Sequence, residues 1–487
     1  MSCPMSLQTL LEGWCDATPG VLIEGLSLDS RTVRQGQAFV AVGGEHTHGM
    51  KYVLQAEARG ATAVIHDGLG DLPTLKIPAV EVPRLGERLS ALAARFFHAP
   101  SEHLTVAGVT GTNGKTSVAH FIVQAWQRDT GNAGIIGTIG YGPLDNLKPA
   151  AMTTPDPISL QAMLAGCLDQ DIEKVAMEVS SHALAQGRCA DVAFDAAVFT
   201  NLSRDHLDYH GSMEAYEEAK RRLFTDCKPR FAVINHDDPA GKALSRHVAQ
   251  STQVLSYGTN GSTELRASIM DMDSSGMTLS IASPWGGGTL HTGLLGAFNV
   301  SNLLAAAGTL ALLGMPWNRV MHQIEIMHAV PGRMQCLGGE STQPVVVVDY
   351  AHTPHALEQA LLALRAHLHG HLICVFGCGG DRDTGKRPMM ARVAESLADR
   401  VILTSDNPRS EPPEEIIKDM MTGLIDPARA EVVMDRDEAI RQAIVKSHSG
   451  DIVLIAGKGH ETWQEAGGRR IPFSDEDSVR SALEDAA

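Results

Sequence analysis

Apolar residues come in short unbroken runs, and amphipathic stretches separate many of them. From about residue 101, LTVAGV (104–109), KVAMEV (174–179), DAAVFT (195–200) and FAVIN (231–235) show no polar alternation, the pattern of strands covered on both faces. After Pro331-Gly332-Arg333 the pattern returns in PVVVVDY (344–350), HLICVF (371–376), RVILTS (400–405) and DIVLIA (451–456), with helical stretches at 355–368 and 414–424 between them. Before residue 101 the runs QAFVAV (37–42) and ATAVIHD (61–67) lie among turn residues, and a helical stretch at 88–97 leads to His98-Ala99-Pro100, read as a linker. Alternating runs such as MTLSIAS (277–283) predict a β-rich insertion between 260 and 295. The fold class is α/β, with mostly parallel sheets and boundaries near 100 and 333. In such sheets ligands lie beyond the carboxyl ends of the strands.

Composition narrows the function. At 487 residues the chain has room for roughly three domains. A formal net charge of −17 argues against coating nucleic acid or an anionic membrane, yet leaves room for a local basic site that binds a small anion. The eight cysteines are scattered without a CxxC pair and read as reduced thiols. The N-terminus lacks a basic start and a long apolar core, so no signal peptide is expected. The apolar stretch 293–317 is interrupted by Asn299, Ser301 and Asn302 and carries helical spacing, which predicts a buried helix and no membrane insertion. A cytoplasmic protein is expected.

The strongest chemical signal is GVTGTNGKTS (108–117), which follows a strand run and opens a helix with apolar Val118, Phe121, Ile122, Ala125 and Trp126 on one face. Glycines allow successive backbone N–H groups to point inward, and the helix N-terminus adds positive potential for phosphate. Lys115 would reach the terminal phosphates, and the Thr116 hydroxyl would bind Mg²⁺. The common loop has a glycine where this chain has Val109; its own glycines are Gly108, Gly111 and Gly114. The alternative is a glycine-rich turn without a ligand. Agreement of strand, glycines, Lys-Thr and amphipathic helix favours nucleoside triphosphate binding.

The spacing G-x-x-G-T-N-G-K-T resembles the ATP loop of the Mur ligases, which build the peptide stem of bacterial peptidoglycan. The resemblance extends through LDSR (28–31), TTPD (153–156), EVSSH (178–182), NLSRDHLDYHG (201–211), GAFNVSN (296–302), VDYAHTP (348–354), DNPR (406–409) and GKGHE (457–461). It implies three domains: an N-terminal α/β UDP-substrate domain (1–100), a central P-loop ATPase-like parallel-sheet domain (101–333) and a C-terminal Rossmann-like amino-acid domain (334–487). The implied activity joins meso-diaminopimelate to UDP-N-acetylmuramoyl-L-alanyl-D-glutamate, with ATP and Mg²⁺, through an acyl phosphate. A monomer is implied.

The resemblance assigns Gly111, Thr112, Asn113, Gly114, Lys115, Thr116 and Ser117, with Asn299, Asn302, Arg333 and Asp349, to ATP. Taken alone, Asn299 could instead cap a helix, the lesser of the two readings. Glu178 and His206 match Mg²⁺-holding positions, although alone they read as a solvated carboxylate and a bystander. Lys220 matches a lysine that becomes a carbamate and supports a second Mg²⁺; by spacing alone it is a surface lysine paired with Glu217. Leu28, Ser30, Glu45, His46, Thr47, Thr153, Thr154, Ser180, Gln186 and Arg188 match UDP-substrate contacts. Asp406, Asn407, Pro408 and Arg409 otherwise read as a turn. By resemblance they bind diaminopimelate with Arg387, Gly457 and Glu461, and Arg409 grips the carboxylate that lysine lacks. Rival readings are a lysine-adding homologue, a folylpolyglutamate synthetase and a nucleotide-dependent switch.

Overall fold

The computed structural model describes residues 4–15, 19–44, 47–340 and 342–485. The chain divides into two compact units, one formed by residues up to 256 with 308–314, the other by 257–307 with the rest from 315.

The first unit begins with four parallel strands in the order Gly25–Ser27, Gln37–Ala41, Ala63–His66, Ala79–Glu81. Ala38 and Val40 pack toward Leu7, Leu10, Leu92 and Phe96, while Phe39 and Ala41 face Met50, Val53 and Ala56. Both faces are covered, which is why the run QAFVAV shows no alternation. The expected linker is a built helix stop instead. His98 and Ala99 take left-handed φ values of 58° and 47°, and the Ala99 N–H donates to the Ala94 carbonyl at 2.7 Å. The hydroxyl of Ser101 then accepts from the Ala193 N–H at 3.0 Å, fastening the segment to the next layer.

That layer is a parallel sheet ordered Phe231–Asn235, Ala196–Phe199, Thr105–Thr110, Lys174–Glu178, Ala133–Ile136. From Thr105–Thr110 the chain moves two places to one side, returns beside its start, and then crosses to the other side. The order therefore switches at the carboxyl end of Thr105–Thr110, where such sheets hold ligands. Glu178 lies opposite Val109 across the pair, so its carboxylate emerges at the same edge as the glycine loop.

In the second unit Leu265–Asp273, Gly276–Ser283 and Gly286–Thr292 form an antiparallel ribbon, the expected β-rich segment. The apolar stretch 293–317 forms the helix Phe298–Leu312, and no helix among the described residues is long and apolar enough to cross a membrane. A second sheet is ordered Gln335–Gly338, Val345–Asp349, Ile452–Ala456, Leu372–Phe376, Arg400–Leu403, Ala430–Val432, parallel except for its first strand. Val345 and Val347 enter one core with Leu357, Leu361 and Met390; Val346 and Val348 enter the other with Ile440, Ile444 and Val479.

Candidate active site

Gly111 has φ +147°, and a Cβ there would collide with the Thr200 hydroxyl, so the loop can turn only at glycine. Asn201 organises the next two residues of the loop: its carbonyl accepts from the Thr112 N–H at 2.8 Å and its Oδ1 from the Asn113 N–H at 2.9 Å. Gly114 precedes the helix Lys115–Thr130, with Thr116 and Ser117 in its first turn. The Lys115 ammonium donates to the carbonyls of Gly111 (3.0 Å) and Thr112 (2.8 Å). Gly108 has another role. A Cβ on it would lie 2.7 Å from the Phe194 ring, so the first glycine of the spacing serves strand packing and not phosphate.

Glu178 is 1% exposed, contrary to the solvated-carboxylate reading. Its Oε2 accepts from Thr116 Oγ1 at 2.8 Å and its Oε1 from the Thr138 N–H at 2.7 Å. Thr154 Oγ1 donates to the Glu178 carbonyl (2.8 Å) and accepts from the Ser180 N–H (3.0 Å), and Thr153 Oγ1 lies 3.1 Å from Thr138 Oγ1. A buried carboxylate oxygen beside a hydroxyl is a hard-oxygen pair that fits Mg²⁺, which needs few protein ligands and keeps its waters. His206 stands with other rings, 4.8 Å from His182. Among the described residues no three His, Cys, Asp or Glu side chains converge as a metal-holding group.

Lys220 is 2% exposed, which removes the surface pair with Glu217. Its Nζ donates to the Gly111 carbonyl at 2.8 Å, the oxygen that Lys115 also uses, and stands 4.3 Å over the Tyr216 ring. The Tyr216 hydroxyl is 3.2 Å from Thr112 Oγ1. Burial, and then the charge of Lys115, push the Lys220 amine down to about 6.

A cleft of about 1100 Å³ in the same unit is lined by Leu28, Ser30, Thr47, Gln186, Arg188 and Tyr209 among others. Ser30 Oγ donates to Gln55 Oε1 at 2.7 Å, and Arg188 Nη1 to the Thr154 carbonyl at 2.9 Å. Glu45 and His46 lie outside the described residues. Tyr209, which spacing did not single out, belongs to NLSRDHLDYHG, the only legible signal for it.

In the second unit, Asn299 Nδ2 donates to the Leu295 carbonyl at 2.8 Å and its Oδ1 accepts from Asn302 Nδ2 at 3.0 Å, so its oxygen is turned to a partner amide and not to a capping N–H. Asp349 accepts from the N–H groups of Met334 (2.8 Å) and Ala351 (2.9 Å), while burial pushes its carboxyl above the usual range. The Arg333 guanidinium stacks 4.7 Å from the Tyr350 ring. Gly457 follows Ile452–Ala456 at φ +118°, where a Cβ would stand 2.6 Å from Asp406 Oδ2. Asn407 Nδ2 donates to Glu461 Oε2 at 2.7 Å, and the buried Lys458 ammonium bridges Glu461 Oε2 (2.9 Å) and Asn407 Oδ1 (3.2 Å). Arg409 follows Pro408 at φ +52°, with its Nη1 donating to the Gly380 carbonyl at 2.7 Å and its Nε 3.7 Å from Glu465.

Family models cover most of the chain: "Mur ligase family, catalytic domain" over 22–97, "Mur ligase middle domain" over 109–310 and "Mur ligase, glutamate ligase domain" over 332–459. The chain is 46% identical over 473 residues to the UDP-N-acetylmuramoyl-L-alanyl-D-glutamate–2,6-diaminopimelate ligase of Coxiella burnetii, covering 96% of each chain. It is 47% identical over 483 residues to the ligase of that name from Pseudomonas aeruginosa, covering 99% of this chain and 98% of that one. The chain belongs to the Mur ligase family. A solved structure of a ligase of that name matches this Mur ligase with a TM-score of 0.75 at 37% identity over 99% of both chains. Folylpolyglutamate synthase from Mycobacterium tuberculosis, at 17% identity, TM-score 0.58 and 76% of this chain, shares the fold alone. Mur ligases couple ATP to amide formation, which sets aside the reading as a nucleotide switch.

Within this Mur ligase one expected contact needs correcting. Arg387 is 1% exposed, and its terminal nitrogens are taken by Glu411 (2.8 Å) and Asp419 (2.8 Å). A guanidinium so committed offers no fork to a ligand. The exposed arginine of the same segment is Arg382. A Cβ built on Gly379 would lie 2.8 Å from Arg409 Nη1 and 3.8 Å from Arg382 Cγ, placing both arginines at one backbone turn. The resemblance picks Arg387 from GGDRDTGKR and passes over Arg382; burial distinguishes the two.

Proposed function

We propose that this Mur ligase adds meso-diaminopimelate to the D-glutamate of UDP-N-acetylmuramoyl-L-alanyl-D-glutamate in peptidoglycan precursor synthesis. The γ-phosphoryl group of ATP passes to the side-chain carboxylate of D-glutamate, giving an acyl phosphate and ADP. The amine of diaminopimelate attacks the acyl carbon, and the tetrahedral intermediate expels phosphate while the nitrogen loses a proton. Such a reaction asks for positioning and charge neutralisation more than for covalent help from the protein.

In this reading the loop Gly111–Ser117 cradles the phosphates, Lys115 turns its ammonium from the loop carbonyls to the terminal phosphate, and Asn299, Asn302, Arg333 and Asp349 serve the rest of ATP. Thr116 and Glu178 would hold Mg²⁺, with His206 and a carbamate on Lys220 as further ligands; the ion supplies neutralisation of phosphate charge. Leu28, Ser30, Glu45, His46, Thr47, Thr153, Thr154, Ser180, Gln186 and Arg188 hold the UDP-substrate. Residues 1–100, 101–333 and 334–487 take the UDP-substrate, ATP and the amino acid. Soluble, nucleotide-linked substrates suit a monomer working in the cytoplasm without membrane or nucleic acid.

The observation that carries the diaminopimelate assignment is the turn Asp406–Arg409, whose Asn407 is fastened to Glu461 and Lys458 while Arg409 is held in a left-handed backbone beside Arg382. A guanidinium there can take the distal carboxylate through two parallel bonds, which an ammonium cannot do. The test is phosphate release across an amino-acid panel with UDP-dipeptide and ATP, for wild type and Arg409→Lys. Wild type should require all three substrates and prefer diaminopimelate over lysine. Loss of a charge-assisted bond worth roughly 1.5–3 kcal/mol lowers diaminopimelate kcat/KM by about tenfold to a hundredfold in the variant. An unaltered preference would place specificity elsewhere.

A further inference from the structure

Three side chains on one wall of the 1100 Å³ cleft form a directed chain of hydrogen bonds. Arg188 Nε donates to Gln186 Oε1 at 2.8 Å, and Gln186 Nε2 donates to the Tyr209 hydroxyl at 3.0 Å. The direction is forced. A guanidinium N–H can only donate, so it fixes the Gln186 oxygen on its own side and leaves the amide N–H₂ facing Tyr209. The phenol oxygen therefore accepts, and its own hydrogen remains for another acceptor. A chain that begins on a cation and ends on an O–H polarises that last donor, making it suited to an anion. Tyr209 is 37% exposed and borders the cleft.

The position of the ring says which part of a ligand it meets. The Tyr209 ring lies tilted against His182 at 4.2 Å, His182 meets His206 at 4.8 Å, and His206 meets edge-on, at 6.1 Å, the ring of Tyr216, whose hydroxyl is 3.2 Å from Thr112 Oγ1 of the phosphate loop. Tyr209 thus joins the cleft wall to the aromatic group that leads to the loop, where the reacting end of the substrate must arrive. Two carboxylates are carried by that end. Hydrogen bonding to the side-chain carboxylate would blunt the oxygen that must attack phosphorus, whereas the α-carboxylate stays an anion throughout.

We propose that Tyr209 is a substrate-contact residue that donates its phenolic hydrogen to the α-carboxylate of the D-glutamate, with Gln186 and Arg188 orienting it. The proposal rests on the substrate assignment above. The test compares wild type with Tyr209→Phe on UDP-N-acetylmuramoyl-L-alanyl-D-glutamate and on the analogue whose α-carboxylate is a carboxamide. Phenylalanine keeps the ring contact with His182, and MgADP affinity reports that the loop is intact. The expected result is a rise of about tenfold or more in KM for the natural substrate, with KM for ATP and diaminopimelate within twofold. Wild type should discriminate against the carboxamide, and the variant should not. An unchanged KM, or a variant that still discriminates as wild type does, overturns the proposal. A wild-type enzyme that ligates neither compound would instead overturn the substrate assignment.

Discussion

A buried ammonium group is held nearer neutrality, and Lys220 is in that position: its Nζ has a carbonyl and a ring for neighbours, and burial and the charge of Lys115 outweigh the opposing pull of Asp205. An amine pushed down to about 6 is largely uncharged at neutral pH, the form that adds CO₂ and loses a proton to become a carbamate. In CO₂-free buffer the sign of the linked stability is fixed. Between about 6 and the ordinary lysine value the unfolded chain binds the proton that the folded protein refuses, so stability rises with pH across that window. Urea midpoints at several pH values should therefore climb more steeply for wild type than for Lys220→Met, and parallel curves would remove the assigned amine. With CO₂ present, Lys220→Ala should lose ligation and recover part of it with added short carboxylic acids. The carbamate came only from the family resemblance, and the burial of Lys220 was not legible in SMEAYEEAKRRLF, where the helical spacing puts Glu217 one turn before it. Spacing reveals which face a residue shares and not what another segment brings to it; the carbonyl that binds Lys220 is 109 residues away.

Elements were more legible than single side chains, because a strand covered on both faces must be apolar at every position. The run of four valines illustrates the limit: they announce a buried strand, while their division between two cores follows from the pleat and the helices on each face. The same limit applies to Gly108. In GVTGTNGKT it looks like part of the phosphate cradle, yet in Thr105–Thr110 it is the place where the Phe194 ring and Val179 press on the backbone. A methyl group there overpacks a core, at a cost of about 1–3 kcal/mol. Gly108→Ala should lower the urea midpoint accordingly, and Phe194→Leu in the same chain should return part of the loss, since the ring edge is 2.7 Å from the added carbon. Equal loss in the single and double variants would show that the strain lies elsewhere in the loop.

At the scale of the molecule, a net charge of −17 coexists with Lys115, Lys220, Arg188, Arg333, Arg382 and Arg409 set at carboxyl edges of sheets or in the cleft, so the global sign said little about the ligands. The buried strand runs were readable because a strand of a sheet covered on both faces must be apolar throughout, whereas the division into two compact units left no such mark in the pattern. The cleft assigned to the UDP-substrate lies wholly in the first unit, and the turn assigned to diaminopimelate lies wholly in the second. That placement predicts a divided response to one ligand. UDP-dipeptide added alone, at about 100 times its Kd, should stabilise the unit that binds it by about 2.7 kcal/mol, close to a hundredfold slower exchange for amides that open through unfolding of that unit. Hydrogen exchange should show the slowing in Gln37–Ala41 and Thr105–Thr110, and leave Val345–Asp349 and Ile452–Ala456 at their unliganded rates. Slowing confined to the second group would move the UDP-substrate out of the cleft, and with it the roles given to Ser30, Gln186, Arg188 and Tyr209.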